Sequence, residues 1–210
     1  MIAVVLASAS SRRLDLLAPL GLDITVMPAD IDETPHLGEE PVAYVQRLAA
    51  EKRDEIAFWS HDPGAEPGSR DQNEMNEMDE VLVIAADTTV DLDGVILGKP
   101  ADAAEATAML ATLSGRTHLV HTGVSVGCGT RVATGVASTA VTFVELDERT
   151  IAWYVGMGEP FGKAGAYAIQ GAGGFFVASV SGSVSNVIGL PLTLVVELAA
   201  RVGVGLIASV

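Results

Sequence analysis

Cysteine, lysine and positive charge in general are what this sequence has least of. Cys128 is its single cysteine in 210 residues. That excludes an intramolecular disulfide and a multi-cysteine zinc site, and it fits a reducing compartment such as the cytoplasm. Twelve Lys and Arg stand against 27 Asp and Glu, a formal net charge of −15 at pH 7. Such a surface argues against nonspecific binding to nucleic acid or to an anionic membrane. A polyanionic small molecule fits only if the scarce cations are gathered in one place. No unbroken apolar run reaches the roughly 18 residues that a membrane span requires. Residues 164–196 carry no charge, but Gly, Ser, Asn, Gln and Pro interrupt them, so they read as buried structure around a pocket. Ala7-Ser8-Ala9 superficially resembles a signal-peptidase site. With no basic segment before it and too short an apolar one, no signal peptide is expected.

What is present is a folded composition, 49% hydrophobic and 19% charged, long enough for one large domain over residues 1–210. Residues 2–6 read as a strand, 11–20 as a helix and 23–27 as a second strand. Pro41 opens a helix to about residue 58. Residues 60–80 are polar with little to bury and read as a flexible surface insertion. "VLVIAAD" predicts a buried strand ending in Asp87, "DLDG" a hairpin turn, and residues 101–113 a helix. Two antiparallel strands follow, at 117–129 and 131–146, then helices at 147–155 and 191–202. Alternating strands and helices with antiparallel members predict an α/β fold with a mixed β-sheet and flanking helices.

Five groups of residues invite a chemical reading. In "LASASSRRLDLL", Arg12 and Arg13 stand where a helix begins, a place unfavourable to cations by about 0.3–1 kcal/mol each. Either Ser8 and Ser10 merely cap the helix while the arginines reach solvent, or its N-terminus and the arginines together bind phosphate. Asp30, Asp32 and Glu33 in "PADIDETP" are either a solvated turn or carboxylates for a hard divalent cation, which completes its shell with water and substrate phosphates. Asp87, after an apolar strand, either caps a turn or serves as a base or metal ligand. Lys99 in "LGKP" and Lys163 in "FGKAGAY" sit among glycines that permit close backbone approach, though neither forms a P-loop. The four histidines show no metal-binding spacing, and no G-x-S-x-G elbow is present.

In order along nearly the whole chain, "LASASSRRLDLL", "DIDETP", "RLAAEK", "AADTTV", "LGKP", "LSGRTH", "KAGAYAIQGAGGFFV" and "GSVSNVIGLPL" resemble the Maf family, the septum formation inhibitor-like proteins. The resemblance implies two lobes around a deep cleft, like the inosine triphosphate pyrophosphatases. It also implies cleavage of a nucleoside triphosphate at the α-phosphorus into monophosphate and pyrophosphate. By the same resemblance Asp87 is the proton acceptor, and Glu33 with Asp87 binds a divalent metal, Mg²⁺ or Mn²⁺. Ser8, Ser10, Arg13, Lys52 and Lys99 bind phosphate. Arg12, Thr88 and Gln170 match the branch acting on dTTP and UTP, whose role includes keeping noncanonical nucleotides out of nucleic acid. The amide of Gln170 complements the N3–H and carbonyls of uracil or thymine. A homodimer is a further expectation of the likeness. Two features depart from the family pattern: Ser11 stands where Pro is usual, and the 60–80 segment is long. Two alternatives are a noncatalytic nucleotide-binding regulator of cell division, and the same chemistry with a purine preference.

Overall fold

The structure, a computed structural model, describes residues 2–59 and 81–207. The expected 60–80 insertion therefore lies outside the described residues. Strand β1 (Ala3–Ala7) is buried from its second residue onward, the near-continuous apolar pattern of a strand covered on both faces. It pairs in parallel with β2 (Ile24–Val26) on one side and β3 (Val81–Leu92) on the other. Between β1 and β2 run helix α1 (Ser11–Leu17) and a 3₁₀ turn, Ala18–Leu20. The sequence reads as one helix to residue 20. Pro19 lacks the N–H that an α-helical bond needs, and the chain tightens there before leaving through Gly21 at φ 63°.

Helix α2 (Pro41–Trp59) connects β2 to β3 and buries Val45, Leu48, Ala49 and Ile56 against the sheet. It lies very close to β5 (Thr117–Cys128), because a Cβ on Gly123 would stand 2.1 Å from the carbonyl oxygen of Val45. Gly123 is the register partner of Asp87. Any side chain at position 123 would lift α2 away from the residue it must reach.

β3 does not end at Asp87, as the sequence suggests; it continues five residues to Leu92. Thr88, Thr89 and Val90 are β-branched, and the ladder with β5 runs unbroken through Asp91↔Leu119. The expected hairpin follows. Asp93 and Gly94, at φ 55° and 85°, turn the chain into β4 (Val95–Leu97), the positive-φ pair that a two-residue hairpin favours. Helix α3 (Ala103–Leu113) is capped by Asp102, whose carboxylate accepts from the Glu105 N–H at 2.9 Å. β5 and β6 (Arg131–Phe143) form the expected antiparallel pair, and Asp147 caps α4 (Glu148–Gly156). The sequence reading has neither β7 (Val177–Ser181), paired antiparallel with β6, nor the short α5 (Val184–Ile188). The last helix is α6 (Leu192–Arg201). The result is a mixed seven-stranded sheet in the order β2-β1-β3-β5-β6-β7, with β4 on β3.

Two apolar clusters share one face of this sheet. Leu6, Leu82, Ile84 and Val124 pack with Val195 and Leu198 of α6. Val90, Val120, Val141 and Phe143 pack with Leu110 of α3 and Tyr154 of α4. Between them lies a polar belt of Thr88, Thr122, Thr139 and Asn186. The expectation of two lobes takes this form: two cores on one sheet, divided by hydrogen-bonded side chains. Among the described residues, no helix is long and apolar enough to cross a membrane.

Candidate active site

β1 ends opposite Ala85, and β4, which runs back antiparallel, begins opposite Leu92 and ends opposite Val90. Among the described residues, this leaves positions 86–89 of β3 with no strand on that side. The gap opens into a cleft of about 420 Å³, lined by the Ser8–Arg13 turn, Glu33, Lys52, Asp87, Lys99 and the segment from Gly162 to Gln170. Asp87 therefore stands at the end of the parallel part of the sheet, where open α/β sheets place ligands, although its own strand runs on.

Lys52, on α2 and buried, bridges two carboxylates: its Nζ donates to Glu33 Oε1 at 2.5 Å and to Asp87 Oδ1 at 2.6 Å. Lys99, exposed, donates to Glu33 Oε2 at 2.9 Å. Partial burial works to raise the Glu33 pKa, but the hydrogen bonds from Lys52 and Lys99 overcome it and hold the carboxyl at about 2. The backbone of Glu33 is pinned by Tyr44 of α2, whose hydroxyl donates to its carbonyl at 2.9 Å. Asp30 and Asp32 are exposed and do not line the cleft. Asp32 accepts from the Thr34 N–H at 2.9 Å, so the solvated-turn reading holds for this part of the motif. Among the described residues, no group of three or more His, Cys, Asp and Glu side chains forms a metal cage. Glu33 and Asp87, brought together on one ammonium, do fit a hard cation that takes one or two carboxylates and fills its shell from phosphate and water.

Arg13 does not cap or extend from the first turn of α1. It folds back, its Nε donating to Gly189 O at 2.8 Å, Nη1 to Ser8 Oγ at 2.9 Å and Nη2 to Thr88 Oγ1 at 3.2 Å. Burial lowers its pKa and the nearby Asp87 opposes that. Ser8 Oγ also accepts from the Ser10 N–H at 3.3 Å. Ser10 makes no side-chain cap bond, so neither serine caps the helix. Thr122 donates to Asn186 O at 3.0 Å, which leaves Thr88 to donate to Thr122 at 2.9 Å while accepting from Arg13. Asn186 in turn donates to Val120 O and to Thr139 Oγ1, both at 2.9 Å. The guanidinium is thus anchored to the polar belt between the two cores.

Arg12, Lys163 and Gln170 line another part of the cleft, Gln170 exposed. The loop of Lys163 and Gln170 is built around Glu159, which the sequence reading does not single out. Its carboxylate accepts from Tyr154 Oη at 2.8 Å, Gly173 N at 3.0 Å and Ala172 N at 3.1 Å. The Lys163 ammonium donates to Glu159 O at 2.6 Å and to Phe161 O at 3.3 Å. Gly165, at φ 67°, donates its N–H to Gly98 O at 3.1 Å, tying this loop to the one that carries Lys99. A side chain there would meet Val90 at 2.7 Å. Beneath lies Tyr167, whose hydroxyl is 2.9 Å from His118 Nε2. Burial pushes the His118 imidazole down to about 4. All ten residues expected to serve the site (Ser8, Ser10, Arg12, Arg13, Glu33, Lys52, Asp87, Thr88, Lys99 and Gln170) line this one cleft. Glu159, His118 and Asn186 act from behind it; His118 and Asn186 lie inside "LSGRTH" and "GSVSNVIGLPL", which give them no role of their own, and Glu159 lies in no motif.

The chain matches the Maf-like protein family over residues 3–202. It belongs to that family. This Maf-like chain is 53% identical to the dTTP/UTP pyrophosphatase of Myxococcus xanthus (strain DK1622), over 97% of the chain and 94% of that protein. It is 48% identical to the dTTP/UTP pyrophosphatase of Anaeromyxobacter sp. (strain Fw109-5), covering 95% and 89%. With the protein of the same name from Moorella thermoacetica (strain ATCC 39073 / JCM 9320) the identity is 46%, covering 96% and 95%. Among solved structures, a HAM1 protein from Coxiella burnetii is similar at a TM-score of 0.42 and 17% identity, over 68% of this chain and 73% of that one.

Proposed function

We propose that this chain is a nucleoside triphosphate pyrophosphatase that hydrolyses dTTP and UTP to the monophosphate and pyrophosphate. One observation carries the reading. Lys52 draws the carboxylates of Glu33 and Asp87 together opposite the anchored Arg13, in a chain nearly half identical, over almost its full length, to proteins named for that activity.

The chemistry follows from the parts. Asp87, its carboxylate held at Oδ1 by Lys52, accepts the proton of the attacking water. Glu33 and Asp87 would hold Mg²⁺ or Mn²⁺, which when bound supplies positive charge to the phosphate oxygens. Lys52 and Lys99 neutralise and orient the phosphates, and Arg13 offers them a guanidinium fixed by Gly189 and Thr88. Ser8 and Ser10 shape the turn on which the chain of phosphates lies. Phosphoryl transfer needs mainly positioning and charge stabilisation, and these residues supply both. Gln170 selects the base through its amide at the rim, and Arg12 bears on selectivity through the phosphate it positions. Thr88 contributes by holding Arg13, since its hydroxyl is already engaged. The enzyme works on free nucleotides in the cytoplasm.

Product analysis tests this directly. Purified protein with Mg²⁺ or Mn²⁺ is incubated with a panel of nucleoside triphosphates, and the products are separated by ion exchange. Monophosphate plus pyrophosphate, fastest from dTTP and UTP, is the expected result. The same products fastest from a purine keep the chemistry and overturn the selectivity. Nucleotide bound without turnover across the panel makes the chain a binding protein.

A further inference from the structure

Within the cleft, charge is matched in one part and unmatched in another. Glu33 and Asp87 face Lys52 and Lys99, and Asp87 also acts on Arg13. Arg12 and Lys163 come next. Among the described residues neither makes an ion pair, in a chain with more than twice as many acids as bases. The acid nearest to hand, Glu159, spends its carboxylate on Tyr154, Ala172 and Gly173. We infer that Lys163, acting with Arg12, holds the terminal phosphates of the substrate and then the departing pyrophosphate. The inference rests on the pyrophosphatase reading above and adds a residue to it.

Three observations carry it. The first is how Lys163 is held. Two backbone carbonyls, Glu159 O and Phe161 O, fix its ammonium without neutralising it. An ammonium has three N–H donors, so one remains for a ligand. Second, the mounting is built and not a frayed loop. Gly165 is tied to Gly98, and Gly165 and Ala166 both take left-handed φ, 67° and 59°. That conformation is unfavourable for alanine and persists only where its surroundings impose it. Third, burial, the repulsion of Arg12 and only weak help from Glu159 all bear on the Lys163 ammonium, the first two lowering its pKa. Two like charges held together in this way are satisfied by an anion between them.

The order of groups decides which anion. Asp87 marks the attacked phosphorus; Arg13 donates to Thr88, the next residue along β3, Arg12 precedes Arg13 on α1, and the Lys163 loop is tied through Gly165 to Gly98, next to Lys99. A triphosphate running from Asp87 into the cleft that these cations line puts its β- and γ-phosphates on Arg12 and Lys163. Negative charge builds on the leaving pyrophosphate as the bond to the α-phosphorus breaks, and fixed cations at that place favour the transition state. A pyrimidine base is neutral and has no need of two cations.

The test compares wild type with Lys163→Met and Lys163→Arg. Calorimetry measures binding of inorganic pyrophosphate with Mg²⁺, and steady-state kinetics measures dTTP, UTP and CTP. Lys163→Met should weaken pyrophosphate binding about tenfold or more and lower kcat/KM for all three nucleotides by about the same factor, roughly 100-fold. The preference for UTP over CTP should stay unchanged, and Lys163→Arg should recover most of both losses. Unchanged pyrophosphate affinity overturns the inference, and a shifted UTP-to-CTP ratio beside it reassigns Lys163 to the base. Wild type that binds pyrophosphate through Lys163 yet cleaves no nucleotide would sink the proposed function and leave this assignment standing.

Discussion

At the Glu33 end of the cleft Lys52 and Lys99 are matched against Glu33 and Asp87, while at the other, that of Arg12 and Lys163, carbonyls and among the described residues no carboxylate hold the lysine. The first end is electrically complete before anything binds. The second is complete only when an anion arrives. Their construction differs in the same sense. Lys52 and Asp87 project from α2 and β3, elements pressed together at Gly123. Lys163 and Gln170 ride on a loop whose shape depends on one carboxylate, Glu159, and on glycines that admit it. A Cβ on Gly171, for instance, would stand 2.5 Å from the Glu159 carboxylate oxygens. Lys52 and Asp87 sit on regular elements with Glu33 and Lys99 on the loops that meet them, whereas the grip of Lys163 on the part of the substrate that must leave sits on a loop beside Arg12 of α1. Regular elements open less readily than loops, so this division suits a site that must release product.

The largest effect that would break the comparison belongs to the matched end. Asp87→Asn keeps the shape and loses the basicity, so kcat for dTTP should fall by about a thousandfold, within the range general base catalysis supplies. Nucleotide binding, measured by calorimetry, should survive because the unmatched end is untouched. Turnover close to wild type would place the base elsewhere. Next in size is Lys52→Met. It leaves two carboxylates facing each other, Asp87 almost buried and Glu33 partly exposed. Losing the shared ammonium should cost about 2 kcal/mol in urea unfolding, less than a fully buried pair because Glu33 reaches solvent. Mn²⁺ should restore part of that loss in the variant and less in wild type. Equal stability with and without Mn²⁺ would show that the carboxylates do not act as a pair.

The two ends were also unequally legible in the sequence. Each site residue at the matched end lies in a short motif; regular pattern places those of Lys52 and Asp87, by apolar spacing for α2 and a β-rich run for β3, while those of Glu33 and Lys99 lie on loops. What the pattern could not reveal is where β3 stops. "VLVIAAD" looks finished at its acid, and only the pairing with β5 shows that the strand passes through Asp87 while its parallel neighbour β1 falls short. The catalytic position comes from that mismatch in strand length, a tertiary fact. At the other end, the Gly-rich segment announces close backbone approach but not its cause. Glu159 looks like any surface acid, because its role depends on N–H groups 13 and 14 residues away. Asn186 likewise matters through Val120 and Thr139, distant in sequence. β7 leaves little trace in the sequence, since Val177–Ser181 is short and follows a run of glycine and phenylalanine that masks its period.

Acid should separate the two ends, with a smaller effect than either substitution. His118 lies under the loop of the unmatched end, edge-on to Phe143 and Tyr167, with ring centroids 4.9 and 5.4 Å away. Among the described residues its Nδ1 is buried without a hydrogen-bond partner, so a proton there would be a charge with no compensation. Burial holds its pKa at about 4, below the ordinary 6.5. Between these values the unfolded chain takes up a proton that the folded chain refuses. The stability this confers is therefore full above about pH 6.5 and is lost as pH falls towards 4; from pH 7 to 5 the loss should be about 2 kcal/mol. Glu33 behaves oppositely in range: held at about 2, it stays ionised at pH 5 and keeps its bonds to Lys52 and Lys99. Hydrogen exchange at pH 5, corrected for intrinsic rates, should show the backbone of residues 163–170 opening more readily than at pH 7. The segment of β3 around Asp87 should change less. His118→Gln, which cannot take the proton, should abolish most of the difference between pH 7 and pH 5 in urea unfolding. If the variant loses as much stability as wild type, the acid sensitivity resides elsewhere, and the aromatic floor is not what holds the unmatched end in shape.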